Sequence, residues 1–161
     1  MRRQIEQQEL RKLKYEHQVR FALFCAYQVK DKWAKSPECV SAIEMVELWL
    51  QGRASSEECM VVAVAAHEAN AAIARTATYS SNAAYATVES AIASARFAKT
   101  DGLGGGWAGY AASSARDVVF YTIDGSSVKA IDEVIKEQWD YYHELLHCDA
   151  IAEKALLGEV I

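Results

Sequence analysis

The residues best suited to chemistry lie at positions 143–147, where His143, Glu144 and His147 form an HExxH sequence. On a helix this spacing places two imidazoles one turn apart, as in zinc proteases, where the glutamate acts as general base. A catalytic zinc also needs a third protein ligand. The downstream oxygen donors that could supply it are Asp149, Glu153 and Glu159. Because no strand pattern accompanies the motif to hold a substrate, we predict a surface histidine pair, with a zinc hydrolase as an alternative.

A second group of polar residues surrounds His67, which lies on a stripe of small residues in an Ala-rich helix. That position predicts a buried imidazole held by hydrogen bonds. Large polar side chains amid alanines can either cross-link helices or line a binding pocket. We predict an interhelical network, and a pocket is the alternative. The members of the group are His67, Glu68, Asn70, Arg75, Tyr79, Asn82, Tyr85, Glu89, Arg96, Tyr110, Arg116 and Asp117.

Other chemical signatures are weak. The glycine-rich stretch 101–106, with Gly104 to Gly106 in a row, matches neither a Walker loop nor a dinucleotide fingerprint. We predict a plain connection that opens a helix near Trp107, and a phosphate cradle is the alternative. The four cysteines are far apart and form no CxxC pair, which predicts buried free thiols. They are Cys25, Cys39, Cys59 and Cys148.

All of these residues are predicted to lie on or between helices, because apolar residues recur at helical spacing and no segment shows sustained strand alternation. The pattern predicts a first helix over about 4–35, on which Ala22, Ala26, Val29 and Trp33 share a stripe. A second helix begins with Ser36 as N-cap and Pro37 at the first helical position, and Gly52 ends it.

The later helices are predicted from the same signals, which are helical spacing and N-terminal caps. Residues 55–58 form a capping box, in which the Ser55 hydroxyl and the Glu58 carboxylate each accept a backbone N–H, and a helix follows to about Thr78. Another helix is predicted over 81–99. After a turn at 124–127, a final amphipathic helix runs from Val128 through Leu146, and we expect the chain to fray from about residue 150.

These elements predict an all-α protein, a compact single domain over residues 1–161 with about six helices. The length of 161 residues and a hydrophobic content of 52% suffice for one substantial core. Small side chains on the helix stripes favour tight antiparallel packing. The predicted core residues are Trp33, Ile43, Trp49, Val64, Val88, Val118 and Trp139.

Charge and hydropathy limit the classes of binding partner and the cellular location that the sequence favours. A net charge of −5 provides no positive field to gather nucleic acid or an anionic membrane, and it favours a basic partner. Residues 1–17 are locally basic, but interspersed acids and the lack of an apolar run argue against a signal or transit peptide. No apolar run approaches the roughly 20 residues that span a bilayer. We expect a cytoplasmic protein.

The chain resembles a family of Ala-rich all-α immunity proteins from bacterial polymorphic toxin systems, which also occur in phages. The likeness rests on Phe24-Cys25-Ala26, Trp33, residues 42–52 with the turn Trp49-Leu50-Gln51-Gly52, and the cap at 55–58. It continues through Ala65-Ala66-His67, Tyr85-Ala86 and Glu137-Gln138-Trp139. The resemblance implies a binding protein with no catalytic residues.

We therefore predict a non-catalytic inhibitor that neutralises a protein toxin or a defence effector by stoichiometric binding, with no cofactor. The alternative is a phage anti-defence protein that sequesters a nucleotide signal. In that case arginines would face phosphates and tyrosines would stack on bases. The residues concerned are Arg75, Arg96, Arg116, Tyr79, Tyr85 and Tyr110.

Overall fold

A computed structural model describes residues 2–74, 76–100, 103–122 and 127–156. Within these residues every regular element is an α-helix, and the helices pack as a bundle, which confirms the predicted fold class. Six of the eight helices found there have at least 7 residues. They are α1 (Gln7–Leu10), α2 (Tyr15–Gln28), α3 (Lys30–Trp33), α4 (Pro37–Leu50), α5 (Ser56–Ile73), α6 (Tyr79–Arg96), α7 (Leu103–Thr122) and α8 (Ser127–Leu156).

The predicted first helix over 4–35 is wrong in one respect, because it is divided into α1, α2 and α3. The chain turns after Leu10 and again at Val29, whose φ of −122° and ψ of 24° depart from helical values. Leu10 and Leu13 are both buried by the first turn. Both leucines belong to the hydrophobic core, so their burial holds this segment against the bundle.

Serine caps begin α4 and α5 as the sequence predicts. The Ser36 side chain accepts a hydrogen bond from the backbone N–H of Cys39 at 3.4 Å, and that of Ser55 accepts one from Glu58 at 3.1 Å. The other half of the predicted capping box is wrong. The Glu58 carboxylate lies 3.4 Å from the Ser55 hydroxyl and accepts from it, not from the Ser55 backbone N–H.

The end of α4 also follows the prediction. Gly52 has a φ of +71°, a left-handed conformation that favours glycine. Its N–H donates to the carbonyl of Trp49 at 3.0 Å, and the N–H of Arg53 donates to Leu48 at 2.8 Å. This pair of bonds satisfies carbonyls at the end of the helix and constitutes a Schellman motif.

The junction between α5 and α6 lies earlier than predicted. α5 ends at Ile73, and α6 begins at Tyr79 with Thr78 as its N-cap. The Thr78 hydroxyl accepts from the N–H of Ser81 at 3.2 Å, so this residue starts a helix instead of ending one.

The centre of the bundle is α6, which contacts α2, α3, α4, α5 and α7. Its inward positions carry small side chains, among them Ala84, Ala91 and Ala95, all fully buried. Small residues let neighbouring backbones approach closely. The hydroxyl of Ser94 donates to the carbonyl of Gly104 at 3.2 Å and so joins α6 to α7 inside the core.

The predicted glycine loop is wrong where it can be compared, because Gly104, Gly105 and Gly106 belong to α7. A Cβ added to Gly104 would lie 3.1 Å from the Cα of Ala98, and one added to Gly105 would lie 2.9 Å from Cγ of Arg11. The low helix propensity of glycine is therefore outweighed by close packing of α7 against its neighbours. Residues 101–102 lie outside the described part of the chain.

The predicted core is largely confirmed. Trp33, Ile43, Val88 and Val118 are buried. Trp49 and Trp139 are half-buried and pack against the core. The prediction for Val64 is wrong, because its side chain is 49% exposed. α5 covers the bundle from outside, so only one of its sides meets other helices.

Three of the four cysteines are buried free thiols, as predicted: Cys25, Cys39 and Cys59. Burial raises the pKa of the Cys59 thiol to about 11. The prediction is wrong for Cys148, which is exposed on α8.

The last helix is longer than expected. α8 continues through Leu156, so the predicted fraying from about residue 150 is wrong up to that point. Residues 157–161, and all but the last of the predicted turn 124–127, lie outside the described ranges. None of the helices in those ranges combines the length and apolar character that crossing a membrane requires.

Candidate functional site

The HExxH residues lie on the exposed side of α8. His143, Glu144 and His147 are all exposed, whereas Tyr142 and Leu145 face the core. The amphipathic pattern of the helix causes this, since the histidines flank its buried stripe. The ring of His143 lies 5.7 Å from that of Trp139, centroid to centroid. Both histidines therefore lie at the surface, as predicted.

None of the candidate third ligands of a zinc ion is placed beside the two histidines in the described residues, and Asp149 binds other groups. Asp149 is buried, its Oδ1 lies 2.6 Å from Nδ1 of His17, and its Oδ2 accepts from the backbone N–H of Lys14 at 2.9 Å. Glu153 is exposed on α8, and Glu159 lies outside the described residues. No group of three histidine, cysteine, aspartate or glutamate side chains in the described part of the chain is arranged to hold a metal ion.

The prediction of a buried His67 is wrong, because its side chain is 74% exposed on α5. Its Nδ1 lies 3.3 Å from Oε2 of Glu89 on α6, and the amide of Asn70 donates to Oε1 of the same carboxylate at 2.8 Å. These three residues form a small bridge between α5 and α6.

The predicted arginines do not converge. The guanidinium of Arg96 lies 4.6 Å from the ring centroid of Phe97. Arg116 donates to Oδ1 of Asp117 at 2.7 Å and to Oε1 of Gln4 at 2.5 Å, on a surface that α7 shares with the N-terminal segment. Arg75 lies outside the described residues. Two of the three predicted phosphate ligands are therefore engaged with separate partners.

The predicted tyrosines are also dispersed. Tyr79 is exposed at the start of α6, and its ring lies 5.4 Å from that of Tyr121. Tyr85 is half-buried near the start of α4. Tyr110 is exposed on α7, with its ring centroid 5.5 Å from that of Trp107. Tyr85 and Tyr110 line two different grooves.

A feature that the sequence analysis missed is the exposed apolar side of α5. This helix has 18 residues, of which Cys59 and Ala66 alone are buried. Met60, Val61 and Val64 are exposed, and Val61 is 67% accessible to solvent. Valine and methionine occur on several sides of α5, although a helix with one buried side needs apolar residues on that side alone. These additional apolar residues were the sequence signal that could have predicted an exposed apolar surface.

Aromatic residues continue this surface onto the neighbouring helices. Val64, Arg96, Phe97 and Trp107 help to line a groove of about 310 Å³ between α5, α6 and α7. The rings of Phe97 and Trp107 are stacked, with centroids 6.4 Å apart and planes 15° from parallel. Tyr110 extends the row. We call the set Met60, Val61, Val64, Phe97, Trp107 and Tyr110 the apolar surface.

Acidic side chains accompany the apolar surface. Glu57, Glu58 and Glu68 are exposed on α5, and Glu68 lines the groove together with Glu89. Arg96 is the basic residue in the groove lining. The local charge is therefore negative, in line with the net charge of the chain.

Comparison with protein-family models, with curated proteins and with solved structures gives no significant match. The resemblance to Ala-rich immunity proteins therefore stays a prediction, and the structure defines the class of the protein as an all-α helical bundle.

Proposed function

We propose that the protein acts by stoichiometric binding of another protein through the apolar surface, without catalytic turnover. The observation that carries the proposal is the position of α5, an apolar helix that leaves Met60, Val61 and Val64 in solvent. Soluble proteins seldom expose large apolar patches, and a patch that is rimmed by polar residues marks an interaction site.

The composition of the surface supports a protein partner. Tryptophan, tyrosine, methionine and arginine are enriched in protein interfaces, and tryptophan, tyrosine and arginine dominate their energetics. Trp107, Tyr110 and Met60 lie on the apolar surface, with Arg96 beside them. Phe97 and Trp107 are held by mutual stacking, so little side-chain entropy would be lost when a partner covers them.

The charges specify the chemistry of that partner. Carboxylates around an apolar centre complement an apolar patch ringed by lysine or arginine, and they accelerate encounter with it. A toxin or defence effector that acts on nucleic acid has a basic surface of this kind. We propose such an effector as the partner, and the resemblance to immunity proteins agrees with this role.

The two alternatives have less support. A nucleotide held by Arg96 and Arg116 would need both guanidinium groups in one pocket, and they bind separate partners instead. Zinc hydrolysis would need a third ligand near the His143 and His147 pair, and Asp149 is bound to His17.

Aspartate substitutions on α5 provide a direct test. Val61→Asp combined with Val64→Asp places two charges in the apolar surface, and we expect binding to a purified partner to weaken at least a hundredfold, since interface centres tolerate unpaired charge poorly. The partner would first be recovered from the native host on immobilised wild-type protein and identified by mass spectrometry. The product of the neighbouring gene would be tested in parallel.

Val128→Asp is the matched control, because Val128 is also an exposed valine but lies on α8. It should bind the partner as the wild type does. Both variants should keep the wild-type unfolding temperature within a few degrees, since surface substitutions change stability by about 0.5 kcal/mol or less. Equal binding by all three proteins, or recovery of no partner together with no binding to the neighbouring gene product, would refute the proposal.

A further inference from the structure

A second groove shares no residue with the apolar surface. It has a volume of about 720 Å³ and is formed by the start of α2, the end of α4 with the turn that follows, and the residues after α6. This volume is within the range of about 300–1,000 Å³ typical of small-ligand sites. Its lining residues are Lys14, Tyr15, Glu16, Trp49, Leu50, Gly52, Ala54 and Lys99.

The groove brings together two lysines from distant parts of the sequence. Lys14 and Lys99 are both exposed, and neither forms an ion pair with any residue that the structure describes. Glu16 is the acidic residue in the lining. In a chain with a net charge of −5, two lysines and one glutamate give this groove a local excess of positive charge. Two ammonium groups beside a concave surface favour a phosphate group.

Two aromatic side chains complete the groove. Tyr15 is 48% exposed, so part of its ring is open to a ligand. Trp49 is half-buried, and its indole N–H has no hydrogen-bond acceptor among the described residues. The indoles of Trp33 and Trp139, in contrast, donate to the carbonyls of Ala26 at 2.8 Å and Arg3 at 2.7 Å. The indole nitrogen of Trp49 is not buried, so it is accessible to a ligand in the groove.

We propose that this groove binds a nucleoside monophosphate. Lys14 and Lys99 hold the phosphate, the base packs against Tyr15 and Trp49, and the indole N–H donates to an acceptor on the ligand. A phosphate alone would leave the aromatic side chains unused, and an uncharged aromatic ring would leave the lysines unused. The site is independent of the proposed partner-binding function.

The test is a titration of the untagged full chain with AMP, GMP, CMP and UMP, followed by calorimetry and by tryptophan fluorescence. We expect at least one of them to bind, with affinity that decreases as salt is added. Replacement of both lysines, Lys14→Gln with Lys99→Gln, should weaken binding by roughly tenfold or more, as loss of charge-assisted hydrogen bonds does. Trp49→Phe should abolish most of the fluorescence change.

Lys35→Gln is the control, because Lys35 is also exposed but lies after α3, outside the lining. It should bind as the wild type does. Inorganic phosphate and the matching nucleoside are titrated separately, and each should bind more weakly than the nucleotide. Three results would overturn the proposal: no binding of any nucleotide, binding unchanged by the double lysine replacement, or phosphate binding as tightly as the nucleotide. Partner binding by Val61→Asp with Val64→Asp is measured separately, so failure of one proposal does not imply failure of the other.

Discussion

The helices α5 and α6 have the same length and a similar Ala-rich sequence, yet they occupy opposite environments. Each contains 18 residues, but ten residues of α6 are buried and two of α5. α6 contacts five other helices, whereas α5 rests mainly on α4 and α6. Composition alone therefore does not identify the central helix of an Ala-rich bundle.

The polar residues of the two helices explain part of the difference. α6 buries four hydroxyl side chains, and each donates a hydrogen bond to a backbone carbonyl. Within the helix, Thr87 donates to Ala83 at 2.9 Å and Ser90 to Ala86 at 2.7 Å. Ser80 donates to Val118 and Ser94 to Gly104, both on α7 and both at 3.2 Å. A serine or threonine hydroxyl that donates a hydrogen bond to a backbone carbonyl can be buried at little cost in free energy. The larger valines and methionine of α5 would hold neighbouring helices apart at the bundle centre.

The largest expected effect comes from enlarging an alanine in each helix. Ala91→Leu adds three carbons at a fully buried position of α6, and we expect a loss of about 3 kcal/mol in the free energy of unfolding because the neighbouring helices must move. Ala65→Leu on α5 is exposed and should change the stability by less than about 0.5 kcal/mol. Urea denaturation measures both, and equal losses would contradict the difference in burial between the helices.

The second prediction concerns two glycines of α7 that differ in how closely a neighbouring segment approaches them. Gly104→Ala places a Cβ 3.1 Å from the buried backbone of Ala98, so we expect destabilisation by about 1–2 kcal/mol. Gly109→Ala meets its nearest neighbour, Gln7, at an ordinary 3.7 Å and should stabilise the protein by about 0.5–1 kcal/mol through helix propensity. Thermal unfolding should move in opposite directions for the two variants. A gain in both would show that the packing at Gly104 is loose.

A smaller effect distinguishes two serines of α6. Ser94→Ala removes a hydrogen bond to Gly104 on another helix, and we expect a loss of about 1 kcal/mol. Ser90→Ala removes a bond within the helix, whose acceptor on Ala86 also receives the regular backbone N–H, so the change should be near zero. Matched urea curves of the two variants test this difference, and an equal loss would argue against the role of Ser94 in joining α6 to α7.

The smallest expected effect lies on α8. Glu144→Gln changes an exposed residue of the HExxH sequence, and we expect no change in stability or in partner binding. Elemental analysis of protein purified without a His tag should show no stoichiometric zinc. One equivalent of tightly held zinc, with loss of activity in this variant, would replace the binding proposal with a metallohydrolase.

Much of the fold was predictable because its determinants are local. The serine caps at Ser36 and Ser55, and the left-handed Gly52, act through hydrogen bonds to residues a few positions away. Helical periodicity likewise identified Trp33 and Val88 as core residues. The candidate site was less predictable, because polar residues of the same kind are divided between surfaces. His67 and Arg96 line the groove beside the apolar surface, whereas Arg116 lies against the N-terminal segment.

The sequence by itself determined that the chain is helical, and it placed both ends of α4 and the start of α5. Only the tertiary structure decided that the glycines at 104–106 are helical, that α6 and not α5 is central, and that Lys14 and Lys99 share a groove. Each of these outcomes depends on contacts between segments far apart in the chain. Local propensities and spacing carry little information about such contacts, because burial is a property of the neighbours that surround a residue.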